Sequence, residues 1–457
     1  MGSSSAGLRL TVIGLGYLGL THAVCLAEMG HEVLALDVDQ QKVRKAAGGE
    51  APFFEPGLEP LLRKNLESGR LRFTTSFAEV GAFGRVHFLC VGTPQAADGG
   101  ADLRYLDAAV DALAPHLAAG CLIAGKSTVP VGTARLLLAR ARAAAPAGNL
   151  VDLAWNPEFL REGYAVRDSL RPDRIVFGVA SDTAAALLRQ VYAAPLRAGI
   201  PGLVMDLETA ELVKVAANAF LATKISFINV MAEMCETAGA DVLQLADALG
   251  YDDRIGRRFL APGLGFGGGC LPKDVRAFRA AAASLGVGSL VDLLTTVDAI
   301  NLGRRDRVLA LAREAVGGTL AGTRVAVLGI AFKPNSDDIR DSPSLDVCGR
   351  LAAAGAVVSV HDPVAMPNAA RLRPDLRYAE SVSDAAERAD LVLHLTEWSD
   401  YRAIDPAALA EVVSRPILLD ARCALDAALW RDAGWSVHVL GRPHARRAVM
   451  PRPPRPR

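Results

Sequence analysis

Residues 9–19 read RLTVIGLGYLG, and the interpretation of this stretch decides the fold. Positions 10–13 form a short apolar run that fits a buried strand. It leads into Gly14-Leu15-Gly16-Tyr17-Leu18-Gly19, a G-x-G-x-x-G spacing placed where a strand gives way to a helix. Gly14 permits a tight turn, Gly16 lets backbone N–H groups approach a pyrophosphate, and Gly19 lets helix and strand pack closely. Tyr17 and Leu18 complete the turn and are candidate cofactor contacts with the glycines. Asp37 follows 23 residues after Gly14, at the end of the next strand-like run. A carboxylate there accepts hydrogen bonds from a ribose diol and repels a 2′-phosphate, which favours NAD over NADP.

Working outward, apolar runs alternate with Ala/Leu-rich helical stretches. The runs are LRLTVIGLG (8–16), HEVLALDVD (31–39), RVHFLCVGTP (85–94) and CLIAGKSTVP (121–130). Strands alternating with helices predict βαβ units and a parallel, doubly wound sheet. The rhythm pauses near Asp206. Residues 206–238, without Pro or Gly, predict one long helix that serves as a spine and leaves an apolar face for a second subunit. The α/β pattern resumes with RVAVLGIAF (324–332), AVVSVHDP (356–363), ADLVLHLTEW (389–398) and RPILLDAR (415–422). It repeats the opening weakly: Gly329 stands where Gly14 stands, and Asp362 ends a second strand as Asp37 does.

The expected fold is therefore α/β, with two Rossmann-like doubly wound domains joined by a long central helix and a helical middle domain. The expected boundaries are an NAD-binding domain at 8–205, a helical middle with a dimer seam at 206–305, a second Rossmann-like domain at 306–441, and a disordered Arg/Pro-rich tail at 442–457. The first seven residues are also expected to be disordered.

Composition narrows the function classes. Over 457 residues, 50 Lys+Arg balance 50 Asp+Glu, which excludes the broad basic surface of a nucleic-acid binder. The seven cysteines are scattered, with no CxxC and no Cys/His cluster. That pattern fits a reducing, cytoplasmic setting and no metal site. Residues 10–27 contain no charged side chain over 18 positions, enough for a membrane span. Three glycines and His22 interrupt them, so a strand–turn–helix is the better reading and no membrane partner is expected.

Further motifs carry chemistry. Residues 259–274 read FLAPGLGFGGGCLPKD, five glycines in a short loop ending at Cys270, with Lys273 and Asp274 beside it. A nearby cation or helix N-terminus lowers a thiol's pKa and makes it a nucleophile. Lys214 and Asn218, four apart on the long helix, share a face and can aim at one oxyanion. Spacing alone fits a solvated polar stripe equally well. Glu158 and Glu162, also four apart, either do acid/base work or pair with Arg161 and Arg167.

Together the motifs resemble one family, the nucleotide-sugar 6-dehydrogenases. The likeness rests on GLGYLG (14–19), FFEPGLEPLL (53–62), VGTP (91–94), KSTVPVGT (126–133) and NPEFLREG (156–163). It continues in RPDRIVFG (171–178), ELVKVAANAFLATKISFIN (211–229), GFGGGCLPKD (265–274) and AFKPNSDDIRDSPS (331–344). The resemblance implies oxidation of a primary alcohol to a carboxylate with two NAD, through a thiohemiacetal and a thioester on Cys270. UDP-glucose is the first expected substrate, with GDP-mannose or a UDP-N-acetylhexosamine as alternatives. A single-hydride β-hydroxyacid dehydrogenase, which needs no thiol, is the rival enzyme class.

By the same resemblance, Lys214 and Asn218 are oxyanion partners and Asp274 handles protons beside the thiol. Thr128 and Glu158 position water, with Glu158 as base. Asp37, Lys42, Thr93, Thr128, Glu162, Lys273 and Arg340 are implied NAD contacts. Implied nucleotide-sugar contacts are Glu158, Phe159, Leu160, Arg161, Lys214, Asn218, Phe259, Leu260, Gly263, Gly267 and Lys333, with Arg254 reaching across a homodimer. Three positions depart from the family pattern. Gly269 stands where Ser is usual, Cys423 follows Arg422 where Asn is usual, and His22 replaces a small apolar residue and reads as half-exposed.

Overall fold

The computed structural model describes residues 7–443. Of the two terminal segments expected to be disordered only Gly7, Arg442 and Pro443 fall in that range, and Arg442 corrects the expectation by pairing with Asp241 at 2.8 Å. The chain gathers into two compact units. One holds the chain up to Ala219 together with Lys273–Val291, and the other holds Phe220–Pro272 and the chain from Asp292 onward. The helices of the middle region are thus divided between two cores.

The first unit is built on β1 (Arg9–Ile13), β2 (Glu32–Leu36), β3 (Leu71–Thr74), β4 (Val86–Leu89), β5 (Leu122–Gly125), β6 (Asp152–Trp155), β7 (Ile175–Val179) and β8 (Gly202–Met205). Their order in the sheet is β3-β2-β1-β4-β5-β6-β7-β8. All neighbours are parallel except β6 and β7. The second unit carries β9 (Arg324–Leu328), β10 (Val357–His361), β11 (Arg377–Tyr378), β12 (Leu391–His394), β13 (Ile417–Asp420) and β14 (Ser436–Val439). They are ordered β11-β10-β9-β12-β13-β14, and every pair is parallel. Six strands of each sheet follow the dinucleotide-fold order, which reverses direction beside the first strand and opens a ligand crevice at the strands' carboxyl ends.

The weak internal repeat is real in three dimensions. Gly14 and Gly329 both take positive φ, 98° and 93°. Each donates its N–H to the end of the next strand, Gly14 to Leu36 O (2.7 Å) and Gly329 to His361 O (2.8 Å). Asp37 Oδ2 accepts from Leu15 N at 2.8 Å, and Asp362 Oδ2 accepts from Ile330 N at 2.8 Å. The apolar stretch 10–27 splits into β1, the turn and the helix Tyr17–Glu28.

His22 corrects an expectation. That helix buries every residue from Gly19 through Ala27, so it has no half-exposed face along that stretch. His22 lies edge-on to Phe88 with ring centroids 4.7 Å apart. Burial, then the charge of Lys126, hold its pKa well below the ordinary histidine value and keep it neutral.

The predicted spine is the 32-residue helix Leu207–Ala238. Its length and apolar content would suffice to cross a membrane. Within the second unit, however, Ala222, Ile228, Ala232 and Cys235 are core residues, while Phe220, Phe227 and Met234 stand exposed. Residues 220, 227 and 234 recur every seven positions and so share one face.

Near the start of the spine helix, buried Glu211 ties down the helix Thr133–Ala144. Its carboxylate accepts from Gly132 N and Ala134 N, both at 2.6 Å. Burial pushes this carboxyl up to about 7, against the pull of those two N–H groups. A raised acid favours the fold in its protonated form. Its contribution is complete below the unfolded value of 4.5 and is lost as pH rises through about 7. Replacing Glu211 by Gln should remove that loss. Between pH 5 and 8, melting of the wild type should fall relative to Glu211→Gln by roughly 2–4 °C; parallel curves would contradict the assignment.

Candidate active site

The first unit supplies a dinucleotide site. A Cβ at Gly19 would lie 1.7 Å from Gly14 O, so only glycine allows helix and turn to meet there. A Cβ at Gly16 would meet nothing within 4 Å, which leaves the backbone open to a bound group. Lys42 Nζ stands 3.7 Å from Asp37 Oδ2, and Thr93 Oγ1 donates to Thr128 O at 2.8 Å, joining two loops at the sheet's carboxyl edge. These features fit NAD: an open glycine turn at a helix N-terminus for the pyrophosphate, and a carboxylate at the end of β2 for the ribose.

Beside it lies a cluster of charged and amide side chains. Lys214 is buried, and its Nζ stands 3.0 Å from Glu158 Oε1. Glu158 Oε2 accepts from Leu160 N at 2.6 Å. One helical turn beyond Lys214, Asn218 Nδ2 donates to Asp274 Oδ2 at 2.7 Å, and Lys273 Nζ holds Asp274 Oδ1 at 2.7 Å. Asn218 and Asp274 are both buried, so the polar-stripe reading of Lys214 and Asn218 does not hold. Phe159 lies under the Arg174 guanidinium, 3.9 Å from ring centre to carbon. Arg161 is paired with Asp168 (2.6 Å) and Glu158 with Lys214 (3.0 Å).

The second unit supplies the glycine loop. Asn229 Oδ1 accepts from Gly263 N (2.8 Å), and Asn301 bonds both ways with the Phe266 backbone (2.7 and 3.0 Å). Phe259 takes a positive φ of 64°, unusual for an aromatic residue. Leu260 and Gly267 are buried, and Cys270 is exposed directly before the helix Leu271–Ser284. The other cysteines are buried or half-buried, and burial raises Cys25, Cys90 and Cys348 to about 12. Lys333 Nζ lies 5.2 Å from the centre of the Phe332 ring. Arg254 is exposed at the surface, paired with Asp252 at 2.6 Å.

The departures have structural accounts. Arg422 reaches Gly265 O and Phe332 O (both 3.3 Å) and Leu395 O (2.7 Å), so it braces the glycine loop despite lacking a following Asn. Cys423 sits at φ 54° and donates to Leu440 O at 3.0 Å. At Gly269 a Cβ would stand 2.4 Å from the Arg340 guanidinium carbon, so Arg340 occupies the space a serine would claim. Sequence reasoning assigned no role to Glu55, which accepts from Gly163 N and Ala165 N (both 2.7 Å) and from the Tyr17 hydroxyl. Its signal was its place inside the FFEPGLEPLL motif. Asn229 likewise ends the motif ELVKVAANAFLATKISFIN, whereas Asn301 lies in no such motif. Among the described residues no group of three or more His, Cys, Asp or Glu could hold a metal.

A dinucleotide turn beside a buried lysine, amide and two carboxylates fits the class of NAD-dependent dehydrogenases. Comparison with known proteins makes this specific. Models of the UDP-glucose/GDP-mannose dehydrogenase family match along the chain: the NAD binding domain at 8–195, the central domain at 208–302 and the UDP binding domain at 326–427. The chain is 40% identical over 440 residues to UDP-glucose 6-dehydrogenase TuaD of Bacillus subtilis, covering 96% of this chain and 94% of that protein. It is 42% identical over 451 residues to a UDP-glucose 6-dehydrogenase of Pseudomonas aeruginosa, covering 96% and 98%. A UDP-glucose dehydrogenase structure from Pyrobaculum islandicum superposes with a TM-score of 0.89 at 39% identity, covering 97% of this chain and 99% of that one. The chain belongs to the UDP-glucose/GDP-mannose dehydrogenase family, and NAD is its cofactor.

The Gly269–Arg340 packing generates a test. Gly269→Ser must displace the Arg340 guanidinium from its pairing with Asp338 (2.6 Å). If Arg340 contacts NAD, KM for NAD should rise about 3–10-fold, on the order of 1 kcal/mol, with kcat held. An unchanged KM would remove Arg340 from the cofactor site.

Proposed function

We propose that this enzyme oxidises C6 of UDP-glucose to the carboxylate of UDP-glucuronate, with Cys270 carrying the sugar between two oxidations. The observation that supports this reading most is the buried Lys214, 3.0 Å from Glu158, with Asn218 bonded to Asp274 one helical turn away. Such a set stabilises an oxyanion and moves protons in one place.

NAD, when bound at the first glycine turn, provides the hydride acceptor for both oxidations. Lys214 and Asn218 donate to the oxygen on C6 as it gains negative charge. The Cys270 sulfur adds to the aldehyde carbon, forming a C–S bond, and the resulting thiohemiacetal has a second hydride to lose. What remains is a thioester. Glu158 takes a proton from a water positioned with Thr128, and that water's oxygen bonds to C6 as the C–S bond breaks. The carboxylate leaves and Cys270 is released as its thiolate. Asp274, held by Asn218 and Lys273, exchanges the proton of the thiol. Each sugar thus gives up two hydrides and takes its second carboxylate oxygen from water.

The sugar nucleotide is assigned to Phe159, Leu160, Arg161 and the loop at 259–267 with Lys333. Arg254 is assigned to the diphosphate of a second copy in a cytoplasmic homodimer. The exposed Phe220, Phe227 and Met234 favour such a seam. Phe227→Glu should then lower the mass measured by light scattering to that of one chain, and an unchanged mass would count against this seam.

The chemical reading predicts two NADH per uronate formed, whereas one would reject the thioester route. Cys270→Ala should bind UDP-glucose and lose at least about 10³-fold in kcat. Glu158→Gln should stall as a covalent acyl-enzyme visible by intact mass. Near-normal turnover by the Ala variant would end the nucleophile assignment.

A further inference from the structure

Lys126 is a buried lysine that the mechanism above does not use. It follows β5, as Asn156 follows β6, and the two strand ends are locked by a bond from Asn156 N to Gly125 O at 2.7 Å. The Lys126 ammonium donates to Asn156 O (3.2 Å), Asn156 Oδ1 (3.1 Å) and the Tyr192 hydroxyl (3.4 Å). Tyr192 in turn donates to Asn156 Oδ1 at 2.5 Å, while Asn156 Nδ2 donates to Val176 O at 2.8 Å. The walls are aromatic, with the Phe88 and Tyr192 rings about equally distant from the ammonium (6.0 and 5.9 Å).

All three acceptors are neutral. Burial lowers the His22 imidazole and raises the Tyr192 phenol, so neither brings a charge to the pocket. Burial also draws Lys126 itself down to about 8; Cys90 and Glu158 oppose that shift, and Lys214 adds to it. A charge in such surroundings is costly, and an apolar chain of the same length would pack there more cheaply. Its effect is directional. It grips both the main-chain and side-chain oxygens of Asn156, two residues before Glu158, and Pro157 between them has a fixed φ. Lys214 and Leu160 N then hold the carboxylate at the tip of the same turn.

We propose that Lys126 is a positioning residue: from beneath, it sets the 156–158 turn at the height where Glu158 serves thioester hydrolysis. The proposal rests on the reading of Glu158 as the hydrolytic base. It makes the late step of turnover sensitive to Lys126 and the first oxidation insensitive.

The test compares Lys126→Met, Tyr192→Phe and Glu158→Gln in the full-length enzyme with UDP-glucose and NAD. Lys126→Met should melt no lower than wild type, because a buried cation gives way to an apolar chain of similar length. Its KM values and the first NADH formed per site should stay within about threefold. Its kcat should fall about tenfold or more as the acyl-enzyme accumulates. Tyr192→Phe keeps every charge and should shift kcat the same way by about 2–3-fold; it carries the test should Lys126→Met fail to fold. The double variant Lys126→Met/Glu158→Gln should be no slower than Glu158→Gln alone. The proposal is overturned by wild-type kcat in Lys126→Met, by equal loss in the first and later steps, or by multiplying effects in the double variant. Multiplying effects would leave the base assignment standing, whereas wild-type hydrolysis in Glu158→Gln would remove that assignment by itself.

Discussion

A single hydrogen-bonded constraint underlies both α/β units. The backbone turns back after the first strand at a glycine with positive φ, and a buried aspartate at the end of the second strand accepts the next N–H. The glycine is needed because the turn lies in the left-handed region, where a Cβ is unfavourable. At Gly14 that atom would also approach Cys90 O to 2.9 Å. The aspartate is needed because a turn cannot satisfy its own N–H groups, and a buried donor without an acceptor is costly. Once the clamp is set, the crevice at the strand ends follows from the strand order. The units differ in what they do with it. Asp37 accepts from one turn N–H, whereas Asp362 also accepts from Ala331 N and the Trp398 indole, so its acceptor capacity is spent inside the protein. A carboxylate so engaged has little left for a ribose, which agrees with the second unit lacking the full glycine triplet.

Charge placement in the first unit follows a second rule. Lys214 has Glu158, and Asp274 has both Lys273 and Asn218. Every ionised side chain buried here is met within hydrogen-bond distance, as low-dielectric surroundings require. The consequence for chemistry is geometric. A lysine held by a carboxylate cannot swing away, and an amide fixed on Asp274 presents a constant dipole. Preorganised donors of this kind act on a developing oxyanion without having to reorient as charge forms.

The contrast between what could and could not be read in the sequence follows from the range of the interactions. Gly14, Gly16, Gly19 and Asp37 form a local pattern whose physics is complete within 24 residues, and the parallel, doubly wound architecture was legible from it and the strand–helix alternation. Lys214 and Asn218 were visible as a helical pair, but their spacing could not tell a wet face from a dry one. Burial depends on segments 56 or more residues away, such as the one carrying Asp274. His22 was misread for the same reason, since nothing in its own helix reveals that other elements cover it on all sides. Asn301 was silent, and the bracing role of Asn229 was not legible inside its motif, because a lone amide that braces a loop leaves no spacing to detect. The division of the middle helices between two compact units was equally hidden, since helical periodicity records a buried face and not which core it faces.

Glu55 shows how the two parts of the first unit are joined. It is buried, and its carboxylate accepts from the N–H groups of Gly163 and Ala165, which end the 156–163 loop, and from the hydroxyl of Tyr17 in the glycine turn. Burial and the charge of Glu55 hold the Tyr17 phenol well above its ordinary value, with Glu162 adding to the shift. Tyr17 therefore stays a donor throughout the working pH range. The glycine turn and the loop that carries Glu158 thus share one carboxylate. A displacement of either strains three hydrogen bonds to a group that cannot turn to water for replacement. That common anchor gives the FFEPGLEPLL motif a structural place: through Glu55 it holds the glycine turn and the 156–163 loop in one frame.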